Sequence, residues 1–173
     1  MRALLSVAAK EPRAVITVSP AEPGDVALIA RLLEDLNRFY GVPEPGPPDL
    51  ARGQVTEALF GEPPSAYALL ARDGDRVAGL ATYSFLWPSV GPTRLLYMKE
   101  LYVPEAYRRR GVGKLLMHAI FETAAGLGCV RVEWTTDPGN AAARAFYEEL
   151  GVPVHPKVFY RVTDTGSGFP LIG

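Results

Sequence analysis

The sequence predicts an α+β protein, a single domain built on a mixed central β-sheet with helices on both faces. Three observations point there. The chain has 173 residues, 48% of them hydrophobic, which suits one domain with a sizeable core. Segments with helical apolar spacing alternate with short β-branched runs. Three β-rich segments also follow one another in mid-chain, the first two joined by Asp73-Gly74-Asp75 as a hairpin turn would join them.

Residues 1–13 read as a flexible extension and 14–173 as the domain. The opening apolar stretch is short, carries a single Arg and runs into Lys10-Glu11-Pro12-Arg13, so it does not fit a secretory leader. Ala14 to Ser19 is a β-branched run that reads as a strand ended by Pro20. From Val26, the residues Ile29, Leu32, Leu33, Leu36, Phe39 and Tyr40 keep helical spacing, with Pro23 suited to the first turn and Gly41 and Pro43 closing the segment. Gly41 to Asp49 is too rich in Pro and Gly for regular structure, and Leu50 to Phe60 forms a weaker helix. Strands follow at Tyr67–Arg72, Arg76–Trp87 and Arg94–Val103. A helix runs from Val112 to Leu127, a strand from Cys129 to Thr135, a helix from Asn140 to Leu150 and a last strand from Lys157 to Thr163. The predicted order is β-α-α-β-β-β-α-β-α-β.

Charge narrows the function. Eighteen Lys and Arg against nineteen Asp and Glu give a net charge of -1, which supplies no global field for nucleic acid or an anionic membrane. One cysteine makes neither an intramolecular disulfide nor a thiolate zinc site, so a reducing cytoplasm is expected and no metal centre. Arg108, Arg109, Arg110 and Lys114 nevertheless crowd the start of a predicted helix. That end already carries partial positive charge from unpaired N–H groups, so cations there are unfavourable unless an anion binds. Gly111 and Gly113 leave the N–H groups open to a phosphate. A P-loop is excluded because Arg108 and Leu115 stand where Gly and Ser or Thr are needed, and a dinucleotide fingerprint because residue 116 is Leu.

The pattern Arg108-x-x-Gly111-x-Gly113 between a strand and an amphipathic helix, followed by a strand and then Asn140, Phe146-Tyr147 and Gly151, resembles the GNAT superfamily of acetyl-CoA-dependent N-acetyltransferases. Leu95 to Val103, with Glu133-Trp134 and Asn140, is similar to its diamine and thialysine acetyltransferase branch. The resemblance implies acetyl-CoA as co-substrate. It implies that the backbone of Leu101, Tyr102 and Val103 pairs with the pantetheine arm and that Arg108, Arg109, Arg110, Gly111, Val112, Gly113 and Lys114 cradle the pyrophosphate. Asn140 then contacts the cofactor, and Tyr147 lies near its sulfur. Because many relatives pair, it also implies a homodimer.

The expected activity is acetyl transfer to a small primary amine by direct attack in a ternary complex. An amine with a pKa near 10.4 is neutral only about once in several thousand molecules at pH 7, so a base is useful. Glu100 is the candidate, with an exposed strand carboxylate as its equal alternative. Tyr147 is the candidate acid for the departing thiolate, although without the motif it reads as a packed aromatic. Phe39, Tyr40, Lys99, Glu133 and Trp134 are the candidate acceptor-site residues. The diamine branch carries acids where this chain has Tyr40 and Lys99, which disfavours a polyamine and suggests a more aromatic site for a small amine or amino acid with an apolar part. Lys99 can then meet a substrate carboxylate. A protein or peptide acceptor, or an acyl-CoA-binding module without turnover, are the alternative functions. His118 and His155 read as surface residues, Cys129 and Met98 as core, and Trp87 as packing.

Overall fold

The computed structural model describes residues 15–41 and 46–161. The predicted extension, residues 1–13, lies outside them, as do Ala14, residues 42–45 of the Pro-rich loop and residues 162–173. The chain divides into two compact units, Met1–Thr135 and Thr136–Gly173.

The first unit holds a five-stranded sheet in sequence order: β1 (Thr17–Pro20), β2 (Tyr67–Asp73), β3 (Arg76–Leu86), β4 (Leu95–Tyr102) and β5 (Val132–Glu133). The first four pair antiparallel and β4 with β5 pairs parallel, so the sheet is mixed as predicted. β1 begins later than the predicted strand and includes Pro20, opposite Leu69. An edge strand tolerates a residue without an N–H. Helices α1 (Val26–Phe39), α2 (Pro48–Phe60) and α3 (Val112–Gly126) complete the unit. Pro48 sits in the first turn of α2, where its missing N–H is harmless.

Helices cover both faces of the sheet. Ile29, Ala30 and Leu32 of α1 and Val55 of α2 bury against Ala68, Leu70 and Leu80. The neighbouring Gly79 points the opposite way, toward Leu116 and Val112 of α3. The buried α3 stripe, Val112, Leu116, Met117, Ile120 and Ala124, keeps helical spacing, but Leu115 and Leu127, expected on that face with Val112, Leu116, Ala119, Ile120 and Thr123, are exposed.

Several predicted segments differ. The expected strand from Cys129 to Thr135 shrinks to Val132 and Glu133, because only Leu96 and Tyr97 of β4 offer it partners. Cys129 is half-buried and precedes the strand instead of opening a core strand. Residues 157–161 of the expected last strand carry no regular structure. Val158, Phe159 and Tyr160 are exposed there, and a β-branched run without a pairing partner does not make a strand. Trp87 is 69% exposed rather than packed, whereas Met98 is core at 2%. The second unit contains α4 (Ala141–Glu149), capped by Asn140.

Two contacts generate predictions. A Cβ on Gly79 would stand 2.9 Å from Leu116 Cδ1, 3.0 Å from Val112 Cγ1 and 3.1 Å from the Tyr102 carbonyl. Gly79→Val is expected to destabilise the fold by about 1–3 kcal/mol in urea unfolding, more than Gly79→Ala. Asp25, largely buried, accepts a 2.6 Å hydrogen bond from Arg72. Burial raises its pKa, but the Arg72 hydrogen bond, the Glu22 amide and the Arg72 charge together hold it below 3.8. A depressed carboxylate stabilises above its unfolded pKa and loses that contribution as pH falls through the folded value. The stability gap between wild type and Arg72→Met, about 1–3 kcal/mol at neutral pH, should therefore narrow below pH 3.8.

Candidate active site

β4 carries one residue more than β3 can pair. Glu100 lies opposite Thr82 and Met98 opposite Tyr83, leaving Lys99 as a bulge. Side chains alternate along a strand, so without the insertion Glu100 would share the face of Met98. The extra residue turns it to the face of Thr82 instead. Lys99 and Glu100 consequently line one cavity, and Lys99 Nζ donates to Glu100 Oε1 at 2.7 Å.

That cavity has a volume of about 400 Å3 and is walled by α1, α2 and the sheet. Its aliphatic lining comes from residues such as Ile29, Leu33, Val55 and Leu59, and its polar groups are Glu34, Asn37, Gln54, Thr82, Lys99 and Glu100. Four of these, Glu34, Asn37, Gln54 and Thr82, were missed in the sequence. Glu34 and Asn37 stand three apart beside the apolar stripe of α1, a spacing that puts both on one face and could have flagged them.

The expected aromatic wall is absent from this cavity. Phe39 and Tyr40 do not line it but lie further along α1, largely exposed, with their rings edge-on at 5.3 Å. Phe39 instead meets the Arg108 guanidinium at 5.6 Å. Glu133 pairs with Arg131 at 2.7 Å and Trp134 leans on Phe121, and neither lines the cavity.

Beyond Tyr97 and Glu133 the parallel pairing ends, so the β5 side of β4 has no partner strand from Met98 to Tyr102 among the described residues. A row of backbone donors and acceptors stands ready for an extended ligand. The chain then passes through Val103 and a short 3-10 turn (Glu105–Tyr107) into the basic loop.

In the loop Arg109 has φ 59° and Gly111 φ 85°, both left-handed. For Arg109 that conformation costs about 1 kcal/mol or more, and such alternating backbone turns N–H groups toward a common point. Gly111 caps α3 without any side-chain hydrogen bond, and the first intrahelical bond is Leu115 N–H to the Gly111 carbonyl at 3.1 Å. The N–H groups of Val112 and Gly113, which precede the first intrahelical bond, therefore need an outside acceptor, and the residues fit an anionic diphosphate.

The cations differ in their commitments. Arg108 Nε donates to the Val103 carbonyl at 3.1 Å, so with Phe39 beneath it this side chain braces the loop. Arg110 lies over Tyr107 at 5.0 Å and 3.8 Å from Asp73. Arg109 has no side-chain partner among the described residues and is exposed. Tyr102 packs on the α1 side, where burial and the nearby Asp35 raise its phenol pKa against the opposing effect of Arg108 and Arg38.

In the second unit, Asn140 Oδ1 accepts from the Ala143 amide at 3.0 Å, leaving Nδ2 outside the cap. Tyr147, seven residues on, returns to the same side of α4 after two turns and packs its ring 5.2 Å from Phe146.

The model of the acetyltransferase (GNAT) family matches residues 29–152. The chain belongs to this family. Membership makes it an acyltransferase with acetyl-CoA as co-substrate. It is 31% identical over 150 residues to a D-amino-acid N-acetyltransferase of Saccharomyces cerevisiae, covering 84% of this chain and 89% of that one. To the thialysine N-epsilon-acetyltransferase of Bos taurus it is 25% identical, with 80% and 84% covered. An L-ornithine N5-acetyltransferase of Arabidopsis thaliana matches at 38% over 78 residues, 45% of this chain and only 34% of that protein's length. Among solved structures, a putative acetyltransferase from Arthrobacter sp. FB24 superimposes with a TM-score of 0.72 at 30% identity, covering 88% and 99% of the two chains. The aminoglycoside N-acetyltransferase AAC(6')-Iy in complex with CoA gives 0.73 at 18% identity, with 90% and 100% covered, a likeness of fold.

Proposed function

We propose that the protein moves the acetyl group of acetyl-CoA to the primary amine of a small molecule, an amino acid with an apolar portion, by direct attack in a ternary complex. The observation that carries this reading is the cavity lined by Lys99 and Glu100, residues within the stretch of β4 that has no partner strand on its β5 side. The acceptors in the relatives' names, D-amino acids, thialysine and ornithine, support an amino acid. With one cysteine in the chain, a reducing cytoplasm is the compartment in this reading, and the homodimer is carried over solely from the pairing of relatives that the resemblance implies.

Acetyl-CoA, when bound, supplies a thioester-activated acetyl group. Leu101, Tyr102 and Val103 would hold its pantetheine arm through their backbone. Arg109, Arg110, Lys114 and the N–H groups from Val112 onward would hold the diphosphate, and Arg108 would keep the loop in shape. Asn140 would contact the cofactor, as the family resemblance implies. Glu100 takes the proton of the incoming ammonium group, directly or through one water. Lys99 turns from Glu100 to a substrate carboxylate, which releases Glu100 Oε1 for that task. Tyr147 Oη gives its proton to the departing sulfur, and a phenol of pKa about 10 regains it readily at neutral pH.

Free thiol release from acetyl-CoA across a panel of amines and peptides tests the reading. Tyr147→Phe should lower the rate roughly a hundred-fold or more while acetyl-CoA still binds. Binding without thiol release from any acceptor would favour a regulatory module, and faster acetylation of peptides than of free amines a protein acceptor. Gly111→Asp puts a carboxylate where the diphosphate is to sit, at a position with open space and a φ of 85° that Asp tolerates better than most residues. CoA binding should be lost with the fold retained, and unchanged CoA affinity would remove the loop from the proposal.

A further inference from the structure

The apolar stripe of α1 runs past the edge of the core. Leu32, Leu36 and Phe39 follow one another at helical spacing on one face, yet Leu32 and Leu36 are buried and Phe39 is 60% exposed. Burial therefore does not account for where the Phe39 ring lies. It meets the Tyr40 ring edge-on at 5.3 Å and the Arg108 guanidinium 5.6 Å from its centroid. A cation over an aromatic face is attracted by the ring quadrupole, and the attraction survives partial exposure.

Arg108 stands at a pivot of the basic loop. Its Nε donates to the Val103 carbonyl at 3.1 Å across the turn Glu105–Tyr107, and the next residue, Arg109, holds a left-handed φ of 59°. A residue other than glycine keeps that backbone only where its surroundings fix it. The Val103 bond lies within the loop segment, whereas Phe39 comes from another element and ties the loop to the body of the fold. Tyr102, the last residue of β4, also packs against the α1 core cluster, so this helix adjoins the loop at its entry as well.

We propose that Phe39 is a positioning residue for acetyl-CoA, acting through Arg108 to hold the loop in the shape that receives the diphosphate, and not a residue of the acceptor site. The proposal rests on the reading of the basic loop as the diphosphate site. Different turns of α1 then serve the two substrates, with Leu33 and Asn37 at the cavity and Phe39 at the loop. Without the ring, Arg108 loses its tether to α1, and CoA must order a looser loop as it binds.

Calorimetry of CoA binding to the full chain, in a double-mutant cycle with Arg108, tests this. Phe39→Leu should weaken CoA roughly three- to ten-fold, and Phe39→Tyr, which keeps the aromatic face, should stay within about two-fold of wild type. In an Arg108→Met background, Phe39→Leu should shift the affinity less than about two-fold, because the cation that it acts through is gone. Thiol release should show the matching split, with KM for acetyl-CoA raised in Phe39→Leu and KM for the acceptor, at saturating acetyl-CoA, moved less than about two-fold. Equal CoA affinity in wild type and Phe39→Leu, equal losses with and without Arg108, or a raised acceptor KM with CoA affinity kept would each overturn the proposal. Wild type that binds no CoA overturns the diphosphate reading and the proposal with it. CoA binding lost in Gly111→Asp but indifferent to Phe39 overturns the proposal alone.

Discussion

A single inserted residue in β4 organises the site. With Lys99 left unpaired, the strand changes face between Met98 and Glu100, and one strand serves two compartments. Met98 stays in the core, while Glu100 reaches the cavity beside its own neighbour Lys99. Two charged groups adjacent in sequence normally project to opposite sides of a sheet, so their 2.7 Å contact in the cavity depends on the bulge. Just before it the parallel partner also runs out, which leaves the backbone of β4 open on that side.

The same strand feeds the basic loop, where the electrostatics would be unfavourable without a ligand. Four cations surround a helix start that has no side-chain cap, and the strained Arg109 backbone helps aim donors outward. Like charges and strain persist where the surrounding structure enforces them, and here the brace is visible. Arg108 is tied to the Val103 carbonyl and rests on Phe39, so one arginine holds the geometry of the loop. Since Phe39 closes α1, the helix that lines the cavity also steadies the loop.

Much of this was legible in the sequence, and the exceptions share a cause. Apolar stripes in α1 and α3 announced both helices because a stripe is a local property. The bulge at Lys99 was not legible, since a bulge exists only relative to the register of a second strand. The same holds for β5 and for residues 157–161, where β-branched composition promised strands that pairing restricts or withholds. Phe39 and Tyr40 were expected at the acceptor pocket from their place near the helix end, yet the cavity stops short of them. Glu34 and Asn37, polar residues flanking an apolar stripe, resembled an ordinary solvated edge until α2 and the sheet enclosed them.

Amide hydrogen exchange of the full chain, with and without CoA, tests the central claim most directly because it reads the strand edge and the loop together. The account predicts that CoA slows exchange in both Leu101–Val103 and Arg109–Lys114. Protection confined to other segments, with these two unchanged, would contradict it.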